Sequence, residues 1–368
     1  MSSKKIVIIS RTIFPFQAPR SFRATELAKE LAREGHDVTL YGVLGNYDYT
    51  GFEREHNIKI KNLGKMRFAT RNSSDDVKSS FLNKVLTRLI HRLIEFPDVE
   101  LMFKVARCLK SERNIDLLVT VAVPYPLHWG AASFIGKRNN NFSGTWVADC
   151  GDPYFGNKFH KRYFYFRYVE KWFCRKADFI SVPIEGAKEG YFSEFHHKIK
   201  VIPQGFDFNE LLLSDTEPDN PVPVFIYAGA FYKGIRDPGL FLNYLTTVKT
   251  DFKFFIYTKN KAMAAPFKEQ LAGKLFINDY IPRTELLKIM NGASFLVNIE
   301  NDTAMQSPSK LIDYLLAKRP ILSVNSHRLN EQVINEFLNG DYRNRAVITD
   351  LDQYDIKNVA RNFVNLIK

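Results

Sequence analysis

The sequence has few cysteines: Cys108, Cys150 and Cys174 are the only three in 368 residues. An odd number at wide spacing matches neither a disulfide framework nor the paired spacing of a metal site. There is also no Gly-x-Gly-x-x-Gly after the first strand-like run and no Walker-type run, which argues against a dinucleotide oxidoreductase and a P-loop ATPase. The start, MSSKKIVIIS, lacks the apolar core and cleavage site of a signal peptide, so we expect no export and a cytoplasmic location.

Long hydrophobic runs are scarce as well. Residues 117–136 carry no charge over nearly the length that crosses a bilayer. Pro124, Pro126 and His128 interrupt this run, so it predicts a buried strand, a turn and the start of a helix rather than a membrane span.

The charge balance is strongly positive, with 52 Lys and Arg against 40 Asp and Glu, a net charge of +12. This excess favours anionic partners such as phosphates, acidic lipid or nucleic acid. Because no RNP-type, zinc-finger or helix-turn-helix pattern accompanies it, no nucleic-acid partner is expected. The acidic string DLDQYD near residue 350 offers a metal interpretation, but its position favours capping of a C-terminal helix, and no metal is expected.

Twelve runs dense in β-branched residues predict strands that are buried on both faces. Helical patterns separate several of them, which predicts parallel sheets of an α/β protein. The pattern restarts after EPDNPVP, residues 217–223. We therefore predict two doubly wound Rossmann-like domains facing each other across a cleft, with ligands beyond the carboxyl ends of the strands. The predicted boundaries are an N-terminal domain 1–206, a linker 207–222, a C-terminal domain 223–350 and a final helix 351–368.

The stretch SPSKLIDYLLAKRPIL, residues 307–322, predicts a helix that Ser307 caps and Pro308 begins. Ser309 and Lys310 then lie at its positive amino end, which suits an anion. The alternative is a well-capped crossover helix with an exposed lysine.

Seven stretches, taken in order, resemble the GT-B glycosyltransferases and, among them, the retaining enzymes of family 4. They are residues 27–42, 146–154, 177–186, 200–207, 227–238, 277–286 and 307–322. The resemblance covers nearly the whole chain and implies a hexosyltransferase that moves a sugar from a nucleotide-sugar donor to a saccharide or lipid-linked acceptor. It also implies a role in cell-surface polysaccharide or glycolipid assembly, retention of configuration, and neither a metal nor another cofactor.

In that family the donor nucleotide lies mainly in the C-terminal domain. Lys233 and Arg236 take the place of the basic pair that stabilises the departing diphosphate, although without the resemblance they are two solvated loop residues. Asp313 takes the place of the glutamate that accepts the ribose hydroxyls. The remaining implied nucleotide-sugar contacts are Gly229, Tyr280, Ile281, Ser309 and Lys310.

The chain departs from the family pattern at three positions. Met305 replaces a glutamate that contacts the donor sugar, so we expect Asn301 or Asp302 to make that contact. Ala230 replaces an arginine, and Lys318 replaces the usual glycine before the last strand. Met305 and Ala230 support an alternative, a non-catalytic GT-B nucleotide-sugar-binding protein. A GT-B sugar-nucleotide epimerase is a second alternative.

In the N-terminal domain, the resemblance places His128 near the donor sugar as a catalytic-site histidine, whereas base rates favour a packed residue. Asp152 follows a central strand and is predicted either to position the acceptor hydroxyl or to cap the next helix. Arg20 stands where the family carries paired glycines, and it either replaces their contact with the donor phosphate or is solvated.

Two segments mix basic and apolar residues: 79–96 and 155–176. Such a surface suits an anionic bilayer interface, which an enzyme with a lipid-linked acceptor must reach. We therefore expect peripheral attachment to the inner face of the membrane, with ordinary helices covering a sheet as the alternative.

Overall fold

The structure is a computed structural model. It describes residues 2–16, 18–67, 90, 93–135, 142–157, 162–208, 213–214, 216, 218–300, 309–347 and 351–368, without the side chains of 309–312. The chain divides into two compact units. Unit one comprises Met1–Asp207 and Asp352–Lys368, and unit two comprises Phe208–Leu351.

Unit one is built on a parallel sheet with strand order β3-β2-β1-β4-β5-β6-β7. Its strands are β1 Lys5–Ser10, β2 Asp37–Gly42, β3 Lys59–Asn62, β4 Leu117–Ala122, β5 Thr145–Cys150, β6 Phe179–Val182 and β7 Ile199–Val201. Its helices are α1 Pro19–Arg33, α2 Thr50–His56, α3 Glu100–Ser111, α4 Pro126–Ile135 and α5 Phe166–Lys176, with 3-10 helices at Glu185–Gly190 and Ser193–Lys198.

Unit two has a smaller parallel sheet with strand order β10-β9-β8-β11-β12. Its strands are β8 Val224–Ala228, β9 Lys253–Tyr257, β10 Leu275–Asn278, β11 Phe295–Ile299 and β12 Ile321–Val324. Its helices are α6 Gly239–Thr247, α7 Arg283–Asn291, α8 Ser309–Leu316 and α9 Glu331–Leu338, with 3-10 helices at Lys261–Met263 and Ala265–Phe267.

The chain ends with a 3-10 helix, Leu351–Tyr354, and helix α10, Ile356–Val364. Asp355 caps α10, accepting a hydrogen bond from the backbone N–H of Lys357 at 2.9 Å. This confirms that the acidic string near residue 350 caps the last helix. Val359 and Phe363 of α10 are fully buried in the core that α1 forms with sheet one.

The sequence predicted the strands well, because every predicted run contains a strand of the structure. All residues of β4 and β5 are buried, as expected for strands covered on both faces. The uncharged stretch 117–136 forms β4, a turn and α4. Among the described residues, no helix is long and apolar enough to cross a membrane.

In each sheet there is a point where the winding reverses. In sheet one it lies between β1 and β4, and in sheet two between β8 and β11. In doubly wound sheets, ligands bind outside the carboxyl ends of the strands at such a point. In unit two, β8 and β11 both end there, and the loop after β8 emerges from that edge.

Candidate functional site

The loop after β8 is closed by its own backbone. Tyr232 donates its N–H to the Arg236 carbonyl at 3.1 Å, and Arg236 donates back to the Tyr232 carbonyl at 2.8 Å. Lys233 therefore lies at the exposed tip of a tight turn. Gly229, which begins the loop, has φ 145°, in a region that favours glycine. The loop geometry thus depends on one residue of the predicted site.

A second set of hydrogen bonds fixes this loop to the end of β12. The Ser326 hydroxyl accepts from the Asp237 N–H at 3.0 Å and donates to the Ile235 carbonyl at 3.4 Å. Asp237 in turn accepts from the Gly239 N–H at 2.9 Å. Sequence reasoning missed Ser326, because no motif distinguishes a serine that reaches across the sheet edge.

The side chain of Arg236 lies against the carboxyl end of β8. It packs over the Tyr232 ring at 6.0 Å. Burial raises the pKa of Tyr227. The positive charge of Arg236 and its hydrogen bond to the Tyr227 hydroxyl both act to lower that pKa. Arg236 is therefore a half-buried, oriented cation, and Lys233 is an exposed cation four residues from the start of the loop.

Helix α8 is tied to the same strand end. The Ala228 N–H donates to the hydroxyl of Tyr314 at 2.9 Å, and Tyr314 is fully buried. A helix that connects parallel strands runs antiparallel to them, so the amino end of α8 lies toward the carboxyl edge from which the Lys233 loop emerges. The side chains of Ser309 and Lys310 lie outside the described residues.

Other predictions at this edge also fall beyond the described part. They are the donor-sugar contacts Asn301 and Asp302, the substituted position Met305, and the helix start at Ser307 and Pro308.

Asp313, the predicted ribose ligand, is held by an arginine that sequence reasoning missed. Arg283 donates its Nε hydrogen to Oδ1 of Asp313 at 2.8 Å, and both side chains are partly buried. Arg283 is the first residue of α7 and follows Tyr280 and Ile281, two of the predicted nucleotide-sugar contacts. The one indication in the sequence was that Arg283 lies within residues 277–286, one of the stretches that carry the family resemblance.

The segment with the predicted nucleotide-sugar contacts Tyr280 and Ile281 follows β10. Tyr280 is exposed, and the Lys259 ammonium lies 5.1 Å from the centre of its ring. Ile281 is partly buried against the core of unit two. Lys259, which follows β9, is a further cation at the carboxyl edge that the sequence did not indicate.

In unit one, His128 is a core residue. It is fully buried, with Nδ1 2.7 Å from the Thr120 hydroxyl and Nε2 3.4 Å from Sγ of Cys150. Burial lowers the pKa of His128 to about 3, so the ring is neutral near pH 7. Of the two alternatives, this geometry favours the packed histidine, because both ring nitrogens already contact protein groups.

Arg20 is partly buried and paired with a carboxylate. Its guanidinium lies 3.5 Å from Asp149 and covers Gly151, where an added Cβ would come within 2.7 Å of the Arg20 side chain. Burial alone would raise the pKa of Asp149, but Arg23, Arg20 and Ser181 together hold it below its ordinary value. Arg20 thus lies at the carboxyl end of β5.

Asp152 is exposed just beyond the end of β5. Its backbone carbonyl accepts a hydrogen bond from the Tyr125 hydroxyl. The next described helix, α5, begins at Phe166, so Asp152 does not cap it. The side chain of Asp152 is therefore exposed to solvent, and its backbone carbonyl is fixed by the Tyr125 hydroxyl.

The matching family is Glycosyltransferase Family 4, whose sequence model covers residues 22–210, just over half of the chain. The chain belongs to this family and is a glycosyltransferase, as its resemblance predicted. No curated protein matches it in sequence.

Several solved structures share the fold over nearly their whole length. The lipopolysaccharide outer core galactosyltransferase WaaB has 13% identity and a TM-score of 0.60, with 99% of each chain covered. Anabaena HepE in complex with UDP and glucose has 10% identity and a TM-score of 0.59, with 98% of each covered. A glycosyltransferase from Rickettsia africae has 13% identity and a TM-score of 0.59, covering 100% of this chain and 95% of its own. These likenesses confirm the GT-B fold class.

Proposed function

We propose that the protein transfers a sugar, with retention of configuration and without a metal ion, from a nucleotide-sugar donor to a saccharide or lipid-linked acceptor. The observation that carries this proposal is that Lys233, Arg236 and the amino end of α8 lie at the same carboxyl edge of the sheet in unit two. Breaking the sugar–phosphate bond builds negative charge on the diphosphate, and preorganised cations and helix N–H groups stabilise that charge. UDP in the HepE structure supports a nucleoside diphosphate as the leaving group.

The nucleoside part of the donor is assigned to the adjoining residues of unit two. Arg283 orients the Asp313 carboxylate, which then accepts hydrogen bonds from the ribose hydroxyls. Gly229 and the backbone at Tyr280 and Ile281 complete this contact. Sugar contacts by Asn301 or Asp302 remain predictions.

The acceptor is assigned to unit one, with Asp152 as the group that positions its hydroxyl. Asp152 is an exposed carboxylate at the carboxyl end of a central strand, where ligands bind in this class of sheet. Arg20, at the same strand end, supplies a cation for the donor phosphate or the acceptor. His128 is given a packing role, because its ring is enclosed.

A thermal-shift screen with UDP, GDP, ADP and CDP tests donor binding, because a ligand that binds only the folded state raises its stability. We expect one of these nucleotides to raise the unfolding temperature clearly above the others. Nucleotide sugars of that base are then tested for transfer to saccharide and lipid phosphate acceptors. Sugar interconversion without an acceptor would instead establish the epimerase alternative, and binding without any turnover the non-catalytic one.

We also propose attachment to the inner face of an anionic membrane, through the exposed aromatic residues around α5. Phe164 is 73% exposed and Tyr168 is 62% exposed. Tyr165 joins them to the segment before α3, because its hydroxyl donates to the Leu93 carbonyl and Ile94 is exposed beside it. Of the run 79–96, only residues 90 and 93–96 are described.

Basic residues flank these aromatic side chains. The Arg167 guanidinium lies 5.6 Å from the Tyr168 ring, and Lys176 lies 5.8 Å from the Trp172 ring. Aromatic rings flanked by cations suit the headgroup region of an anionic bilayer. This charge pattern favours acidic lipid over a neutral bilayer.

Sedimentation with phosphatidylglycerol vesicles at low salt tests the attachment. We expect the protein to pellet, and the variant with Phe164→Ser and Tyr168→Ser to remain largely in solution. A matched variant with Tyr280→Ser, an exposed aromatic of unit two, should pellet like the unmodified protein. No pelleting of the unmodified protein, or equal pelleting with neutral vesicles, counts against the proposal.

A further inference from the structure

A buried carboxylate lies beneath the segment that presents Asp152. Glu170, on α5, is fully buried, and its Oε1 accepts from the Phe155 N–H at 3.0 Å. The Tyr154 N–H is a second backbone donor to it. Its other oxygen, Oε2, has no hydrogen-bond partner among the described residues. Burying a carboxylate costs free energy, so a buried glutamate indicates that its hydrogen bonds have a role.

The segment from Gly151 to Phe155 is held from below at other points too. Gly156 and Gly190 lie backbone to backbone, because a Cβ added to Gly156 would come within 2.1 Å of the Gly190 carbonyl. Tyr154 is buried, and its ring meets Phe166 of α5 edge to face at 5.5 Å. These contacts and Glu170 hold one side of the segment, while Asp152 faces solvent on the other.

We propose that Glu170 is a positioning residue: its carboxylate fixes the backbone of Tyr154 and Phe155 and thereby places Asp152 for transfer to the acceptor. The inference rests on the proposed function, in which Asp152 contacts the acceptor. Glu170 itself touches no substrate and acts through the segment that it holds.

The ionisation of Glu170 controls how firmly it holds these amides. Burial raises the pKa of Glu170 to about 7, and the amide hydrogen bonds of Phe155 and Tyr154 act in the opposite direction. Burial outweighs these hydrogen bonds, so ionisation costs more in the closed segment than in an open one whose carboxylate is hydrated. The segment is therefore held less firmly as the pH rises through 7.

The groups that face Glu170 do not titrate in this range. They are Tyr125 before α4, Cys150 at the end of β5, Tyr154 of the segment itself, and Cys174 on α5. Burial raises the pKa of each of the four, so all are neutral near pH 7. No charged side chain among the described residues shifts the pKa of Glu170.

Amide hydrogen exchange of the peptide that covers residues 151–157 tests the contact without any substrate. After correction for the intrinsic exchange rate, we expect protection in the unmodified protein to fall by about tenfold from pH 6 to pH 8. Glu170→Gln keeps the shape but cannot ionise, so its protection should be independent of pH and higher than that of the unmodified protein at pH 8. Glu185→Gln, an exposed glutamate that pairs with Lys188, is the matched control and should behave like the unmodified protein.

The transfer reaction supplies the second readout, with the donor that gives the highest turnover in the nucleotide-sugar panel. We expect kcat/KM for the acceptor to fall by about tenfold in the unmodified protein as the pH rises through 7, and Glu170→Gln to remove that fall, with the KM for the donor unchanged. Glu170→Asp retains the charge and should keep the pH dependence at a reduced rate. Glu170→Asp also provides the test of the positioning role if Glu170→Gln does not fold.

Unaltered protection in Glu170→Gln would overturn the proposed contact. Altered protection with unaltered transfer would overturn the positioning role and leave the transferase assignment standing. If no donor supports turnover by the unmodified protein, the proposed reaction fails, and the exchange experiment still decides whether Glu170 holds the segment.

Discussion

The two sheets reverse their winding in the same way, yet the charged residues at the two carboxyl edges differ. In unit one, Asp149 and Arg23 are both nearly inaccessible and form two hydrogen bonds, at 2.9 and 3.1 Å, with Ser181 adding a third at 2.7 Å. In unit two, Lys233 is exposed at a loop tip, and Arg236 is half-buried beside it.

This difference separates a structural use of charge from a functional one. A buried ion pair that is satisfied by protein groups has no capacity left for a ligand, and breaking it is costly. Exposed cations contribute little to stability but attract anions from solution. Charges at a topological switch point therefore indicate a binding site only when the protein leaves them accessible.

The largest effect is expected from removing the accessible cations. The variant with Lys233→Ala and Arg236→Ala should lose about 1,000-fold in kcat, because the leaving diphosphate loses two stabilising charges. Its free energy of unfolding in urea should change by less than about 1 kcal/mol. The control is Lys249→Ala with Lys268→Ala, two exposed lysines of the same unit. Unchanged turnover in the first variant would rule out the leaving-group role.

The opposite outcome is expected in unit one. Asp149→Asn leaves the buried guanidinium of Arg23 without its counter-charge, so the protein should lose about 3 kcal/mol of stability in urea unfolding. Asp251→Asn breaks an exposed pair with Lys274 and should cost less than about 1 kcal/mol. Equal costs for the two variants would contradict the structural assignment of the buried pair.

A smaller effect is expected for Arg283, a partly buried cation that orients a carboxylate of the proposed nucleotide site. Arg283→Gln removes the cation that orients Asp313, so affinity for the matching nucleoside diphosphate should fall by about tenfold in calorimetric titration. Lys288→Gln changes an exposed lysine on the same helix and should leave that affinity unaltered. An unchanged affinity in the arginine variant would mean that Asp313 needs no partner to bind the ribose.

The smallest effect concerns the backbone after α8. Lys318, which stands where the family usually carries glycine, has φ 55°, a left-handed backbone conformation that favours glycine. Lys318→Gly should therefore stabilise the protein by about 1 kcal/mol in urea unfolding. Lys318→Ala, which removes the same side chain without relieving the strain, should not be stabilising, and a gain there would refute the explanation.

The strands were predictable because each is a short apolar run whose burial on both faces shows directly in its residue types. The basic pair was predictable because Lys233 and Arg236 lie within one short loop. Arg283 and Ser326 were not, since their partners Asp313 and Asp237 are distant in the chain. Such pairs depend on how helices and loops pack at the sheet edge.

His128 shows the limit most clearly. The sequence placed it after a strand in a family pattern, and both a catalytic and a packed role agreed with that position. Only the tertiary structure encloses its ring between Thr120, Cys150 and Phe173.

By itself, then, the sequence determined the two parallel sheets, their order of elements and the family, because these follow from local hydrophobic patterns and motifs read along the chain. The tertiary structure alone decided which charges are accessible, because burial depends on contacts between residues far apart in sequence.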